Sequence, residues 1–297
     1  MAKGATRDST PHTEGLTRRH TISTRHAYNT TAYRYPNERL ILALTLLLVM
    51  VVIVLTATAT VCLSALFIIV SVAIAYGMNR YQHNELLSHA QRVTPQSNPG
   101  LAAVAEEAIA RLQPGDVQVF VAPSRKLNAY TFGILPPKIV VLNSALLQVM
   151  DADEMRFILG HELGHVRLGH TWLNSLVGGM AGIPSPIGAW ALLTLAFRWW
   201  NRACEHSADR AGMLACGEPH KALTALIKLE AGPTARTRAD LERALRVIDA
   251  EDDNALSHLE EALGTHPMMI KRITQLRRYA ASAEYRRLQE MVNQNVR

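Results

Sequence analysis

From Leu40 to Asn79 the chain carries no Asp, Glu, Lys, Arg or His and is dense in Leu, Val, Ile and Ala. Such a run is about twice the roughly 20 residues that one helical crossing of a bilayer requires. Thr56-Ala57-Thr58-Ala59-Thr60 interrupts it at the middle, which predicts a transmembrane helical hairpin over residues 38–80. Arg34 and Arg39 flank one end, and Arg80 and Arg92 the other. The excess of basic residues on the cytoplasmic side then puts both ends on that face, which a hairpin satisfies and a single crossing does not. The expected setting is a multi-pass protein of the cell membrane with its remaining mass in the cytoplasm. The alternative, a buried hairpin in a water-soluble core, is disfavoured because such cores rarely keep so long a stretch uncharged.

The net charge of +6 suggests nucleic acid only until its distribution is considered. Residues 1–39 hold seven Lys/Arg against three Asp/Glu, which leaves +2 for everything downstream. A nearly balanced folded part offers no basic face for nucleic acid, so no nucleic-acid partner is expected. Residues 1–37, rich in Thr, Ser, Arg and His and without hydrophobic periodicity, are expected to form a disordered basic arm. Beside a membrane helix, its natural partner is anionic lipid. Cys62, Cys204 and Cys216 fit neither a disulfide framework nor a paired-cysteine metal site. Cys204 is read as a small buried hydrophobe.

After the hairpin, residues 81–100 turn polar and Pro-rich and read as a linker. Residues 101–297 read as one domain, α+β but mainly helical. A helix is expected over Leu101–Leu112, then short strands at Val117–Ala122, Leu127–Gly133 and Lys138–Leu142 forming a small β-sheet. Asp151 followed by Glu154 has the form of an N-cap with its partner, opening a helix that runs to Gly169. A second uncharged stretch, residues 171–197, is broken by Gly and Pro, and each half is short for a bilayer crossing. Helices are expected thereafter at 219–231, 238–249, 254–263, 267–281 and 284–293.

Chemistry enters with His161-Glu162-Leu163-Gly164-His165, an HExxH motif inside the helix that Asp151 opens. Residues four apart share a helix face, so both imidazoles can reach one zinc ion while Glu162 lies where a general base is needed. A zinc peptidase requires a third protein ligand and one position for water. His170 is five residues past His165, about 500° of helical rotation, and is expected to point away. Glu205 is the better choice. It precedes Asp209 by four residues, so Glu205 can ligate while Asp209 accepts the outer N–H of a ligating histidine, His161 being the expected one. One Zn2+ per chain is the expected cofactor.

The HExxH helix, the E-x-x-x-D helix some forty residues on, the N-terminal membrane hairpin and the His266-Pro267 pair together resemble the HtpX-like membrane metalloproteases, kin of the CAAX prenyl proteases. The resemblance covers about residues 38–285. It implies a zincin-like catalytic fold and endoproteolysis of membrane or misfolded polypeptides in protein quality control. Asn128, Ala129 and Tyr130 look like the family's edge strand, which would hold an extended substrate by main-chain pairing. His266 resembles the family's His-Pro loop, implying an oxyanion stabiliser or a resting-state metal ligand; Arg272 is a weaker candidate. The non-enzymatic alternative, a scaffold with a structural zinc, would need a fourth protein ligand.

Overall fold

The computed structural model describes residues 32–59, 66, 69, 70, 73, 77, 81, 84, 85, 87–133, 135–171, 188–231 and 267–294. Outside them lie the expected N-terminal arm up to residue 31, most of the expected second helix of the membrane hairpin, the Gly/Pro-broken centre of the 171–197 stretch, the helices expected at 238–249 and 254–263, and His266.

Helix α1, Glu38–Ala59, is the one helix among the described residues that is long and apolar enough to cross a membrane. Leu40, Leu44, Leu47, Met50, Val51, Val54 and Leu55 all face outward, as a lipid-facing helix requires. Among the described residues its beginning packs on the rest of the chain, where Ile41 joins Trp200, Ala203 and Cys204 in a small apolar cluster. The segment before it is also more ordered than its composition predicts. Tyr33 is buried, Arg34 donates to the Leu168 carbonyl at 3.2 Å, and the Tyr35 amide donates to Ser207 Oγ at 2.8 Å. The expected arm therefore ends earlier than residue 37, because Tyr33 and Tyr35 find apolar partners and Arg34 finds polar ones that a polar average conceals.

The polar 81–100 stretch likewise is not all linker. Strand β1, Gln91–Arg92, pairs antiparallel with β2, Val117–Ala122. Its exposed side chains show no alternation, so nothing in its sequence marks it as a strand. Strand β3, Ala129–Phe132, and β4, Lys138–Asn143, complete a four-stranded sheet of order β1-β2-β4-β3. The pairing of β2 with β4 is parallel and that of β3 with β4 antiparallel, with Tyr130 opposite Val141. This leaves β3 at an edge. Between β1 and β2 the chain forms helix α2, Pro99–Leu112, capped by the Asn98 side chain on the Leu101 amide.

A single turn, α3 at Leu146–Val149, leads into α4, Ala152–Leu168, where the capping box is present in full. The Asp151 side chain accepts from the amides of Asp153 and Glu154, and Glu154 accepts from the Asp151 amide. Buried Glu154 is neutralised by Lys228 at 2.7 Å, from α6, Pro219–Ala231. Gly169 ends α4 at φ 80°, a left-handed conformation that glycine adopts without strain.

The long helix α5, Gly188–Cys216, lies against α4 as the most extensive helix pair in the chain. Helices α7, Pro267–Ala281, and α8, Ala283–Gln294, close the far side. Three glycines set the spacing of α4 and α5. A Cβ on Gly160 would stand 2.3 Å from Ala215 Cβ, one on Gly164 would stand 2.6 Å from Ala211 Cβ, and one on Gly212 would stand 2.8 Å from the Phe157 carbonyl oxygen. The facing alanines are wholly buried, so the two backbones meet as closely as small residues allow.

Gly160→Ala should therefore lower stability, since an overpacking cost of about 1–3 kcal/mol exceeds a helix-propensity gain of about 1 kcal/mol. Gly100→Ala, where nothing lies within 4 Å of the new methyl group, should leave stability unchanged or raise it. Thermal unfolding of the two variants side by side checks the contrast.

Candidate metal centre and cleft

The close contact of α4 with α5 brings three ligand atoms together. His161 Nε2 and His165 Nε2 are 3.2 Å apart, and Glu205 offers Oε2 at 3.6 Å from the first and Oε1 at 3.5 Å from the second. In a tetrahedral site with bonds of about 2.0–2.1 Å, neighbouring ligand atoms stand roughly 3.4 Å apart. The triangle thus has the size and the N,N,O donor set of a metal site, and these three residues could hold a cation. Both imidazoles are buried, whereas the Glu205 side chain keeps 35% of its surface exposed. The fourth direction opens into a cleft of about 420 Å³ lined by residues 127–131, His161, Glu162, His165, Thr171, Glu205, Leu229 and Arg272.

The outer nitrogen of each histidine is occupied. His161 Nδ1 lies 3.1 Å from Asp209 Oδ1, the pairing that the four-residue spacing from Glu205 predicts. Asp209 in turn accepts two bonds from Arg272, Nη2 to Oδ1 at 2.6 Å and Nε to Oδ2 at 2.9 Å. Arg272 Nη1 also stands 3.4 Å from Glu205 Oε2, so one guanidinium steadies both carboxylates of the E-x-x-x-D helix. His170 is not in the ligand set, yet it does not point away either: its Nδ1 is 2.9 Å from His165 Nδ1. The helical rotation count fails there because the left-handed Gly169 breaks the helix before His170. His206 packs its ring 4.9 Å from Tyr35 and Cys204 is buried, as residues facing away from the metal set.

Glu162 stands at the cleft floor, where Thr131 Oγ1 of edge strand β3 donates to its Oε2 at 2.5 Å. Nothing in a lone threonine immediately before Phe132-Gly133 signals this role. Asn128, Ala129 and Tyr130 line the same cleft, so the strand expected beside the site is beside it.

Burial is the largest influence on Glu162 and raises its pKa above the ordinary carboxylate value, against the opposing effects of His161 and the Thr131 hydrogen bond. For His161, burial pulls the pKa down, but the Asp209 hydrogen bond and the charges of Glu205 and Asp209 outweigh it and leave it raised. His165 has burial and the neighbouring His161, His170 and Arg272 all pushing down, and falls well below the usual imidazole value. Burial works to raise Asp209, yet Arg272 and His161 overcome it and hold the carboxyl far below normal.

A depressed folded pKa means that Asp209 contributes stability in full above its unfolded value near pH ~4 and loses it as the pH falls from there toward the folded pKa. Asp209→Asn should melt below the parent at neutral pH in the metal-free protein. The two melting temperatures should converge as the pH drops below about 4. Thr131→Val keeps the shape of the strand but frees the Glu162 carboxylate. It should lower kcat by about tenfold with KM little changed, the value of a hydrogen bond to a charged group.

A family model for Peptidase family M48 matches residues 95–280. Plastoglobule-localized metallopeptidase 48 of Arabidopsis thaliana chloroplasts is 27% identical over 190 residues, 59% of this chain, which spans only 55% of that relative's length. The Protease HtpX homolog of Moorella thermoacetica is 26% identical over 256 residues, 73% of this chain and 85% of its own. That of Pseudarthrobacter chlorophenolicus is 28% identical over 210 residues, 61% and 73% of the two chains. No solved structure matches the chain. The family match contains both helices of the ligand triangle and the arginine that braces them, and the chain belongs to peptidase family M48 as an HtpX-like metallopeptidase.

Proposed function

We propose that the protein is a membrane-anchored zinc endopeptidase in which His161, His165 and Glu205 hold the cation and Glu162 is the general base. The observation that carries this is the convergence of two imidazoles and a carboxylate at tetrahedral spacing beside an open cleft. Two imidazoles and a carboxylate suit zinc in a site with one open position. When bound, zinc supplies a polarised carbonyl and a more acidic water.

The chain's own residues do the rest. Glu162, its proton affinity increased by burial, takes the proton of the attacking water and passes it to the leaving amine. Thr131 fixes one carboxylate oxygen, so the other is the free acceptor. Asp209 holds His161 with Nε2 directed at the cation. Ala129 and Tyr130 lie on β3, an edge of the sheet among the described residues, with Asn128 just before it, and an extended peptide can dock along this edge by main-chain hydrogen bonds. His266 keeps its expected role as an oxyanion stabiliser or a resting-state metal ligand, on the resemblance alone.

The anchoring rests on the outward apolar side chains of α1, and the multi-pass, cytoplasm-facing topology rests on the basic residues flanking both ends of the uncharged run. Lipid contacts follow for α1 and for the basic arm. Substrates among membrane or misfolded proteins, and a part in quality control, follow from the resemblance and suit a cleft that reads backbone rather than side chains.

Detergent-purified protein should contain one zinc per chain and cleave an unfolded substrate such as casein. Glu162→Gln should keep the metal and lose activity by about 10²–10⁴-fold, the usual contribution of a positioned base. Glu205→Ala should lose the metal itself. Undiminished cleavage by Glu162→Gln with zinc bound would falsify the assignment of the base.

A further inference from the structure

Each histidine of the metal set turns Nε2 toward the shared point and Nδ1 away from it. Behind His161 stand Asp209 and Arg272. Behind His165 the support comes from a different part of the chain. His170 Nδ1 lies 2.9 Å from His165 Nδ1, and His170 Nε2 lies 3.0 Å from Glu38 Oε1. Glu38, the first residue of α1, also accepts from the Arg34 guanidinium and the Ser207 hydroxyl. His170, Glu38 and Ser207 are all but inaccessible to solvent, at 1%, 2% and 0%, so water does not substitute for a missing partner.

The hydrogens along this chain have one consistent placement. A ligating His165 offers the Nε2 lone pair to the cation, so its hydrogen sits on Nδ1 and donates to His170 Nδ1. His170 must then carry its own hydrogen on Nε2, where it donates to the Glu38 carboxylate. Glu38 can only accept, and Arg34 and Ser207 satisfy its remaining capacity. A second cation held by Glu38, His170 and Cys204 is the competing use of this cluster. It is disfavoured because the Arg34 guanidinium and the Ser207 hydroxyl already occupy the Glu38 carboxylate.

We propose that His170 and Glu38 are positioning residues for the metal site: through two buried hydrogen bonds they fix the tautomer and ring orientation of His165. Metal affinity in the catalytic domain thereby depends on the first residue of the membrane-type helix. The inference rests on the ligand set of the proposed function. It adds to the expected Asp209–His161 pair a counterpart that no spacing in the sequence reveals, since Glu38 and His170 are 132 residues apart.

The test uses the full-length protein in detergent, with zinc affinity measured by competition against a chromophoric chelator. His170→Phe and Glu38→Leu should each weaken zinc binding by about 10–100-fold, the usual effect of removing a group that orients a ligand. Because the two bonds are in series, the double variant should be no weaker than the poorer single. His170→Gln, which keeps one acceptor and one donor, should recover most of the loss. Glu38→Gln keeps the size of the side chain and tests the relay without a large packing change, through a shift of the visible bands of the cobalt-substituted protein. Zinc affinities within twofold of the parent in both apolar variants, or parent-like cobalt bands in Glu38→Gln, overturn the proposal. A loss that His170→Gln does not recover also overturns it, since that marks packing alone. A parent protein that binds no zinc overturns the ligand set itself, which separates the two failures.

Discussion

Two helices can come no closer than their side chains permit, and in this chain everything downstream depends on how close α4 and α5 come. Gly160, Gly164 and Gly212 leave no side chain at the contact, and Ala208, Ala211 and Ala215 fill the facing surface with single methyl groups. At that separation a short glutamate side chain on one helix meets imidazoles on the other. One extra carbon at the contact would force the helices apart and move Glu205 away from the imidazoles. The small residues are thus not incidental to the HExxH motif; they convert a pattern on one helix into a three-point site spanning two. The buried ion pair of Arg272 with Asp209 then locks α7 to the same face, so a third helix keeps the ligand carboxylate from swinging into the cleft.

Local signals were readable from the amino-acid order, and tertiary ones were not. The α4 boundaries follow from Asp151, Glu154 and Gly169, each of which acts within one turn of the chain. The Asp209 contact with His161 was readable because a four-residue spacing on a helix is a geometric statement. Strand β1 was hidden by its two polar, exposed residues, and the parallel pairing of β2 with β4 was hidden because alternation gives no information on neighbour order. Thr131, His170 and Glu38 escaped for a common reason: each acts through a partner 31, 5 or 132 residues away, and at the shortest of these separations a left-handed glycine cancels the helical count. Glu38 was in addition concealed by company, since among seven basic residues an acid reads as one more solvated charge.

The metal site and the apolar anchor are commonly thought of as separate parts, one chemical and one mechanical. Here they share a wall. Trp200 and Cys204 of α5 pack on Ile41 of α1, and Ser207 bridges Tyr35 to Glu38. The α4–α5 pair is therefore in direct contact with the beginning of α1.

Among the described residues, strand β3 is an edge of the sheet at the rim of the cleft. A folded protein has its own amides and carbonyls engaged in helices and sheets, so it has nothing to offer such a rim until a segment melts. Under the proposed docking of substrate along this edge, access would be governed by the local unfolding free energy of the visitor more than by its residue types, each kcal/mol of its stability excluding it by about fivefold. Such a cleft would discriminate between the same sequence folded and unfolded.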